Sequence, residues 1–475
     1  MTRATRLAVG LSILAVAVRF IGVSQPFIDN WSWRQSDVAT IARNFSRGGF
    51  DFFHPRIDWA GAEPGYVGTE FPILPFAVSI AYKAIGEHDW LGRAETILFF
   101  AMSLPFFFLL VRDLFGELAA VWSLFFYSFA PLSLFASREF MPDMPSLSLA
   151  IAGVYLFRRW MATAGSTMLL ASAVCASLSI LIKLPSIVIA APLAAVAGIG
   201  DPGRRPRCRL QLLLFAIVTL VPAGVWYWHA YRTAQQFYPH HYFGAGGIRI
   251  MSINWYWGIF QQLATSSLTP LLFVLGVVGV VLSVREANAR IFVAWLAAML
   301  LFIFTAGYGS RHQWYQLPLV PIFAAFAGNV CARVAAGKPL SILLVAAFAA
   351  LAFLGVRPLY HSAAAYLRAA GVELQATPRS SLIAAADNGD PTLLYYAGRR
   401  GWHFPEQDGI YAGDPADAQQ LIVDLGALRA RGATHLALTV STMWWLDAFP
   451  QFAQYLATNA KLMKRSADCA IYSLP

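Results

Sequence analysis

Long runs of apolar residues follow one another through the first three quarters of this sequence. A helix that crosses a bilayer needs about 20 predominantly apolar residues, and about a dozen runs approach that length. They lie at residues 7–24, 72–86, 94–111, 118–136, 145–157, 166–182, 184–200, 210–229, 267–284, 291–306, 317–332 and 339–356. Charged residues form only 13% of the chain, whereas soluble domains carry about 25%. The sequence therefore predicts a mainly α-helical bundle that crosses the membrane about 11 to 13 times.

The basic residues of the connecting segments predict the orientation of this bundle. They cluster at residues 158–159 and 204–209, at Arg285 with Arg290, and at Arg333 with Lys338. Loops rich in Lys and Arg stay on the cytoplasmic side, and the segments between them are then extracytoplasmic. These outer segments are residues 25–71, 137–144, 230–266, 307–316 and 357–475. The orientation also explains the net charge of +10, so no nucleic-acid partner is predicted.

One stretch conflicts with a simple count of crossings. Residues 72–136 hold three apolar pieces, although both ends of the stretch are predicted on the outer side. An even number of crossings is required, so one piece is expected to be re-entrant or interfacial, or not to be a span at all.

The composition changes near residue 360. The runs "TLLYYAG" and "THLALTV" are typical of short β-strands, and "ADAQQLIVDLGALRARG" has the periodicity of a helix. Alternating strand and helix signals predict a small α/β domain over residues 359–475, outside the membrane. Residues 1–358 are predicted to form the transmembrane domain, with residues 25–71 as its long outer loop.

The outer loop carries an unusual concentration of polar groups. The stretch "DNWSWRQSDVATIARNF", residues 29–45, follows the first apolar run directly. Loops longer than about 12–15 residues are commonly functional, and charges near the hydrocarbon boundary are costly unless they face a cavity or a partner. We expect Ser36 to cap a short amphipathic helix that lies along the membrane surface.

Two further polar segments are predicted on the same side. "SREFMPDMPSL", residues 137–147, places Asp143 between two prolines, and "GYGSRHQWYQLPLVP", residues 307–321, collects a cation, a histidine and aromatic residues. Acids and bases in three outer loops predict a site at the lipid–water boundary. We find no Gly-rich nucleotide motif. The four scattered cysteines show neither disulfide nor zinc spacing.

The motifs "WRQSDVATIARNF", "PRIDWAG", "EFPILPF" and "SREFMPDMPSL", in this order, resemble the polytopic GT-C glycosyltransferases of the ArnT and protein O-mannosyltransferase superfamily. The resemblance is greatest to the bacterial family-39-like branch and covers residues 1–360. It implies transfer of a sugar from a polyprenyl-phosphate donor to an acceptor on the outer face of the inner membrane. The acceptor is a glycan, a lipid or a protein, and the sugar a hexose or a pentose.

The resemblance also implies roles for particular residues. Asp29 matches the catalytic base and Asp143 the supporting acid, and Asp37 is the alternative base in the same motif. Residues expected to bind the donor are Arg34, Glu70, Arg138, Arg311, His312 and Tyr315. No cofactor is firmly predicted. A divalent metal ion is left open, with Glu70 and His241 as candidate ligands.

The chemistry is consistent with these residue types. An attacking hydroxyl or amine must lose a proton, and a carboxylate within about 3 Å can accept it. A cation stabilises the charge that develops on a phosphate leaving group. A lipid-linked sugar flippase and an O-antigen ligase or polymerase are the alternatives. A flippase, however, should carry polar or broken helices at mid-membrane, whereas charge here collects in the outer loops.

Overall fold

The computed structural model describes residues 2–198, 205–243, 247–334 and 338–475. Arg204 and the side chains of residues 205–208 and of Lys338, which belong to the basic clusters used for the orientation, lie outside the described part. The chain forms two compact units. Unit 1 comprises Met1–Val23, Arg93–Trp226 and Ala245–Leu359, and unit 2 comprises Ser24–Gly92, Tyr227–Gly244 and Tyr360–Pro475.

Helices dominate the described chain. They are α1 Arg3–Arg19, α2 Ser32–Gly48, α3 Ile73–Ile85, α4 Asp89–Phe115, α5 Glu117–Phe129, α6 Pro131–Ala136, α7 Asp143–Thr163, α8 Ser166–Ile182, α9 Ala190–Gly198, α10 Arg205–Gln236, α11 Ile253–Gln262, α12 Pro270–Ser283, α13 Arg290–Ala306, α14 Leu319–Val334, α15 Lys338–Val356, α16 Ala365–Leu374, α17 Thr392–Ala397, α18 Ala418–Ala430, α19 Trp445–Ala448 and α20 Pro450–Asn459. The strands are β1 Leu382–Ala386, β2 Arg400–His403, β3 Glu406–Gln407, β4 Ile410–Tyr411, β5 His435–Thr439, β6 Lys461–Arg465 and β7 Cys469–Ser473. The predicted fold class, a helical membrane bundle with a small α/β region at its end, is confirmed.

Fewer helices than predicted have the length and composition of a span in the described residues. In the described residues five helices are long and apolar enough to cross a membrane, or six if the bent pair Ile253–Ser267 and Pro270–Ser283 is one span. Several predicted spans are instead apolar helices of 10–17 residues, which are too short on their own. They are Ile73–Ile85, Glu117–Phe129, Ser166–Ile182 and Leu184–Gly198. Of the three apolar pieces between residues 72 and 136, α4 has the length of a span.

Unit 1 is held together by closely packed helices with small residues at their contacts. Gly328 of α14 faces α5, and a Cβ built on it would lie 2.6 Å from the carbonyl oxygen of Ala119 and 2.7 Å from the backbone nitrogen of Ser123. Small residues allow two backbones to approach in this way inside a membrane protein. The α5–α14 contact therefore requires glycine at position 328.

Unit 2 is built around a five-stranded sheet with the order β2-β1-β5-β7-β6. β1 runs parallel to β2 and β5, whereas β7 is antiparallel to β5 and β6. Helices α18 and α20 supply buried leucine and phenylalanine side chains to one hydrophobic cluster on the sheet. A second cluster combines sheet residues with Ile41 and Phe45 of α2, and with Ile57 and Trp59 of the segment that follows it. By contacts, the loop that the sequence assigns to the transmembrane domain thus groups with the C-terminal residues.

Local predictions in unit 2 fare unevenly. The predicted strand "THLALTV" and the predicted helix "ADAQQLIVDLGALRARG" are confirmed as β5 and α18. "TLLYYAG" was wrongly predicted as a strand, because it forms α17 between Pro391 at its start and Gly398, with φ 59°, at its end. Proline at the start of a helix and glycine in the left-handed region after it are the ordinary start and stop signals of a helix. Here these signals outweigh the β-type composition of the segment.

The predicted surface helix of the outer loop is also different. α2 begins at Ser32, with Trp31 rather than Ser36 at its N-cap, and ends at Gly49, with φ 87°. Most of its side chains are buried, including polar ones such as Gln35, Ser36 and Asp37. A helix buried on most sides packs inside a protein, and the predicted N-cap at Ser36 is wrong.

Replacing Gly328 by alanine tests the α5–α14 contact. We expect Gly328→Ala to lower the free energy of unfolding by about 1–3 kcal/mol, because an overpacked helix contact must shift. Gly224→Ala in α10 is the matched control, since a Cβ there meets nothing within 4 Å and alanine favours the helix. Thermal unfolding in detergent measures both. Equal stability of the two variants would contradict the close contact.

Candidate active site

The predicted site residues fall into a group in unit 1 and a group in unit 2, and each is described by itself. Two members of the unit 1 group, Asp143 and Tyr315, line a cleft of about 450 Å³ that is open to solvent. Asp143, Lys183, Trp314 and Tyr315 line it, together with apolar side chains such as that of Trp295. The pocket is therefore an apolar cleft with few polar groups, the usual form of a ligand site.

Asp143 and Lys183 form a buried ion pair in this pocket. The distance between Asp143 Oδ1 and Lys183 Nζ is 3.3 Å, and the two side chains are 6% and 9% exposed. Asp143 Oδ2 is buried and makes no hydrogen bond within the described residues. A buried oxygen without a partner costs about 1–3 kcal/mol, so this carboxylate is better suited to binding a ligand than to stabilising the fold.

Lys183 lies at a break between two apolar helices. α8 ends at Ile182, and Lys183 is extended before a short 3-10 helix, Leu184–Ile189, that has proline at its start. Its ammonium group lies 4.9 Å from the ring centroid of Tyr315, close enough for a cation–π contact. The sequence analysis did not select Lys183. The signal was present, because a lone lysine inside a long apolar stretch is functional by default.

Of the three residues predicted in the 307–321 segment, Tyr315 lines the pocket. Arg311 is exposed; its guanidinium lies 4.2 Å from the ring centroid of Tyr308 and donates a hydrogen bond to the Tyr308 carbonyl. His312 stacks on Trp314, with ring centroids 4.3 Å apart. The cation that the structure brings to Asp143 is thus Lys183 and not Arg311.

Arg138, predicted to bind the donor, holds the turn before Asp143. It is fully buried, pairs with Glu139 at 2.8 Å, and donates to the carbonyl oxygens of Ile21 and Gly22 just after α1. Arg19 of α1 donates to the Ser137 hydroxyl, next to Arg138 in the chain. Buried charges require such partners. The two arginines therefore fix the backbone that leads into α7, at whose start Asp143 lies.

In unit 2, Asp29 lies in the turn just before α2. Its Oδ1 accepts hydrogen bonds from the backbone nitrogen of Trp31 at 3.1 Å and from the Gln35 side chain at 2.9 Å. A carboxylate that bonds to the backbone two residues later forms an Asx turn, which starts helices efficiently. The fully buried side chain is thereby held in one orientation.

Arg34 and Glu70, both predicted to bind the donor, bind each other. Arg34 Nη2 lies 2.6 Å from Glu70 Oε1, and Thr69 donates to the other Glu70 oxygen at 3.0 Å. The ring of Phe243 lies 4.9 Å from the Arg34 guanidinium. A paired guanidinium and carboxylate fix one another's geometry, so these residues form a rigid polar element.

His241, the second candidate metal ligand, packs between aromatic rings. Its ring centroid lies 5.3 Å from that of Trp59 and 4.2 Å from that of Phe243. Burial and the Arg34 charge lower its pKa to about 4. Within the described ranges no group of three or more His, Cys, Asp or Glu side chains could hold an ion. Glu70 and His241 therefore belong to no such group in the part of the chain that the structure describes.

Asp37 faces the interior of unit 2. It accepts a hydrogen bond from Trp59 Nε1 at 3.1 Å, and burial raises its pKa to about 6. The Trp59 ring also packs against His403, which bonds to Asp387 at 2.8 Å. Burial lowers the pKa of His403, but the charges of Asp387 and Asp37 outweigh it and leave the pKa raised. The sequence analysis missed His403 and Asp387 because they lie some 350 residues beyond Asp37 along the chain.

The raised pKa of Asp37 predicts a pH dependence of stability. The folded protein binds the Asp37 proton more tightly than the unfolded chain does. The contribution of this proton to the free energy of unfolding is therefore complete below about pH 4 and is lost as the pH rises to about 6. Asp37→Asn keeps an acceptor for Trp59 but has no proton to lose. Relative to wild type it should gain roughly 2–3 kcal/mol across that window.

Thermal unfolding at several pH values measures this gain. Asp447→Asn, at an exposed carboxylate, is the control and should follow wild type throughout. Parallel curves for Asp37→Asn and wild type between pH 4 and 6 would contradict the assignment.

Comparisons with known proteins bear on this arrangement. The family model for dolichyl-phosphate-mannose-protein mannosyltransferase matches residues 68–228. No protein of curated function matches the sequence significantly. The fold is similar to that of ArnT from Cupriavidus metallidurans bound to undecaprenyl phosphate, with a TM-score of 0.68 and 15% identity over 98% of this chain and 97% of that one.

An archaeal enzyme shares the fold as well. The oligosaccharyltransferase of Archaeoglobus fulgidus in the apo form has a TM-score of 0.60 and 13% identity over 92% of this chain and 70% of that one. The same enzyme, AglB, in complex with an inhibitory peptide and a dolichol-phosphate has a TM-score of 0.55 and 13% identity over 91% and 69% of the two chains. The predicted resemblance to GT-C glycosyltransferases is thus confirmed at the level of the fold. With its apolar spans, the chain is an integral membrane protein.

Proposed function

We propose that this protein transfers a sugar from a polyprenyl-phosphate donor to an acceptor at the extracytoplasmic face of the inner membrane. The observation that carries the proposal is the buried pair of Asp143 and Lys183 in an apolar pocket beside Tyr315. Such a pocket suits a ligand with an apolar hydrocarbon chain and one charged group. A polyprenyl phosphate is a ligand of this kind.

The solved structures support this choice of donor. ArnT from Cupriavidus metallidurans was crystallised with undecaprenyl phosphate, and AglB was studied in complex with a dolichol-phosphate. The family whose model matches residues 68–228 is named for a dolichyl-phosphate-mannose donor. We infer a lipid-phosphate donor for this chain. The sugar, whether hexose or pentose, and the acceptor, whether glycan, lipid or protein, are left open.

The proposed reaction is a displacement at the anomeric carbon. The acceptor oxygen or nitrogen forms a bond to that carbon while the carbon–oxygen bond to the phosphate breaks, and the electron pair goes to the phosphate oxygen. Lys183 stabilises the charge that develops there, and the Tyr315 hydroxyl can donate a hydrogen bond to it. Attack from the opposite face inverts the anomeric configuration. The acceptor's proton passes to a carboxylate.

We propose Asp29 as the base that takes this proton, with Asp37 as the alternative. Asp29 is favoured because Trp31 and Gln35 hold its carboxylate in one orientation, and a fixed base is an efficient one. Asp143 then supports the donor phosphate through Lys183. Donor contacts by Arg34, Glu70, Arg138, Arg311 and His312 rest on the family resemblance.

The substitution Lys183→Met tests the assignment of the donor phosphate. We expect donor turnover to fall at least about 100-fold, because a cation in a desolvated site contributes several kcal/mol to binding a developing charge. Lys183→Arg should keep part of the activity. Arg311→Ala should cost less, since Arg311 is exposed, and Arg285→Met at another exposed cation is the control. Release of polyprenyl phosphate from a labelled donor is the measurement.

The same assay separates the enzyme from a flippase. A flippase moves the lipid with its sugar–phosphate bond intact, so labelled donor would change sides without release of polyprenyl phosphate. That outcome, or full turnover by Lys183→Met, would contradict the proposal.

The substitution Asp29→Asn tests the base. The amide oxygen can still accept from Trp31 and Gln35, so we expect the variant to insert and fold like wild type. Transfer should fall at least about 100-fold, because the amide takes no proton. The assay is the same donor turnover, with thermal unfolding as the check on folding. Near-normal turnover by Asp29→Asn together with loss in Asp37→Asn would move the base to Asp37.

A further inference from the structure

Three parallel strands of unit 2 end at one edge of the sheet. β1 lies between β2 and β5, so successive connections run to opposite sides of it. In open α/β sheets, ligands bind outside the carboxyl ends of the strands at such a point. The residues that follow β1 are Asp387–Asp390, and those that follow β5 lead from Val440 to Trp444.

A fixed group of polar side chains lies at this edge. The Asn388 amide donates to the Ser441 hydroxyl at 3.1 Å, and the Tyr411 hydroxyl donates to the Asn388 oxygen at 3.2 Å. Asn388 has φ 56°, in the left-handed region that asparagine adopts more readily than most other non-glycine residues. Trp444 is 45% exposed in the turn after β5. An amide and two hydroxyls are therefore presented together, and an exposed aromatic side chain lies in the turn that follows β5.

Asp387, the residue before Asn388, has a buried carboxylate. Asp387 Oδ1 accepts from His403 at 2.8 Å and from the backbone nitrogen of Gly389 at 3.1 Å. Asp387 Oδ2 is buried and has no hydrogen-bond partner in the part of the chain that the structure describes. Orphaned buried oxygens are rare in native proteins. A hydrogen-bond donor from a ligand is the partner this oxygen lacks.

The charges at the edge limit what can bind. Burial raises the pKa of Tyr411, and the carboxylates of Asp414 and Asp387 raise it further. Burial likewise raises the pKa of Tyr366, with Asp390 and Asp387 adding to the effect. A field set by carboxylates repels phosphates and other anions. A neutral or amino-bearing ligand with several hydroxyl groups is compatible with it.

We propose that this edge of the sheet is a binding site for a neutral or amino-bearing saccharide. Sugars combine hydroxyl groups with apolar faces of C–H bonds, and the edge offers partners for both. Asn388 and Ser441 bond to hydroxyl groups, a hydroxyl donates to the free oxygen of Asp387, and Trp444 and Tyr411 pack against the ring. The proposal concerns binding alone and does not depend on the transfer reaction proposed above.

Saturation-transfer NMR on the full chain in nanodiscs tests the site. The probes are neutral maltotriose and mannotriose, amino-bearing chitosan trisaccharide, and acidic trigalacturonic acid as the negative probe. We expect at least one of the first three to bind at concentrations up to about 10 mM, and the acidic probe not to bind. Tyr411→Phe and Ser441→Ala each remove one hydroxyl group and should weaken that binding at least about 5-fold.

Two controls make the result specific. Tyr455→Phe removes a hydroxyl that accepts from Arg429 on other helices of unit 2 and should leave binding unchanged. Lys183→Met should also leave it unchanged, which separates this site from the donor pocket. Binding is compared only among variants whose melting temperature equals that of wild type. Changes that remove a single hydroxyl group are chosen because they preserve the fold. The proposal would be overturned if none of the three saccharides bound. It would also be overturned if Tyr411→Phe and Ser441→Ala bound the saccharide as tightly as wild type, or if Lys183→Met abolished binding.

Discussion

The contact between Asp143 and Lys183 is the interaction on which the account depends. Both side chains are more than nine-tenths buried and their charged atoms lie 3.3 Å apart. Taking two ions out of water costs several kcal/mol for each, and the attraction between them offsets this only in part. One oxygen of Asp143 moreover has no hydrogen bond in the described residues. A chain that keeps so costly a pair in an apolar pocket keeps it for a reason other than stability, and binding of a charged ligand is the most direct one.

The surrounding structure of unit 1 holds this pair in place. Two fully buried arginines tie the turn before α7 to α1 and the residues just after it, Arg19 through Ser137 and Arg138 through the carbonyl oxygens of Ile21 and Gly22. A site held on rigid elements keeps its geometry, and a site on a free loop does not. Most of the charged residues in the stretch "SREFMPD" thus stabilise the turn. Asp143 is the one among them that lines the pocket.

The sequence predicts the secondary structure that depends on local pattern. It does not predict the side-chain contacts between residues that are distant along the chain. The helical bundle, α18 and β5 follow from periodicity, and Asp143 and Tyr315 stand out beside prolines and aromatic residues. The pairing of Arg34 with Glu70, and of Asp37 with Trp59, depends on tertiary packing that no spacing reveals. The buried position of α2 was missed for the same reason. Lys183 could have been found, because a lysine in an apolar stretch is itself a signal.

The most direct measurement of the central claim is the distance between the Lys183 ammonium and the phosphorus of bound undecaprenyl phosphate. The lysines of this chain are Lys83, Lys183, Lys338, Lys461 and Lys464, so solid-state NMR with ¹⁵N-labelled lysine and the ³¹P of the lipid can resolve it. The account predicts one lysine nitrogen within about 4 Å of phosphorus, as in a direct ammonium–phosphate contact, and its loss in Lys183→Arg. Bound lipid with no lysine nitrogen near its phosphorus, or a close nitrogen that persists in Lys183→Arg, would contradict it.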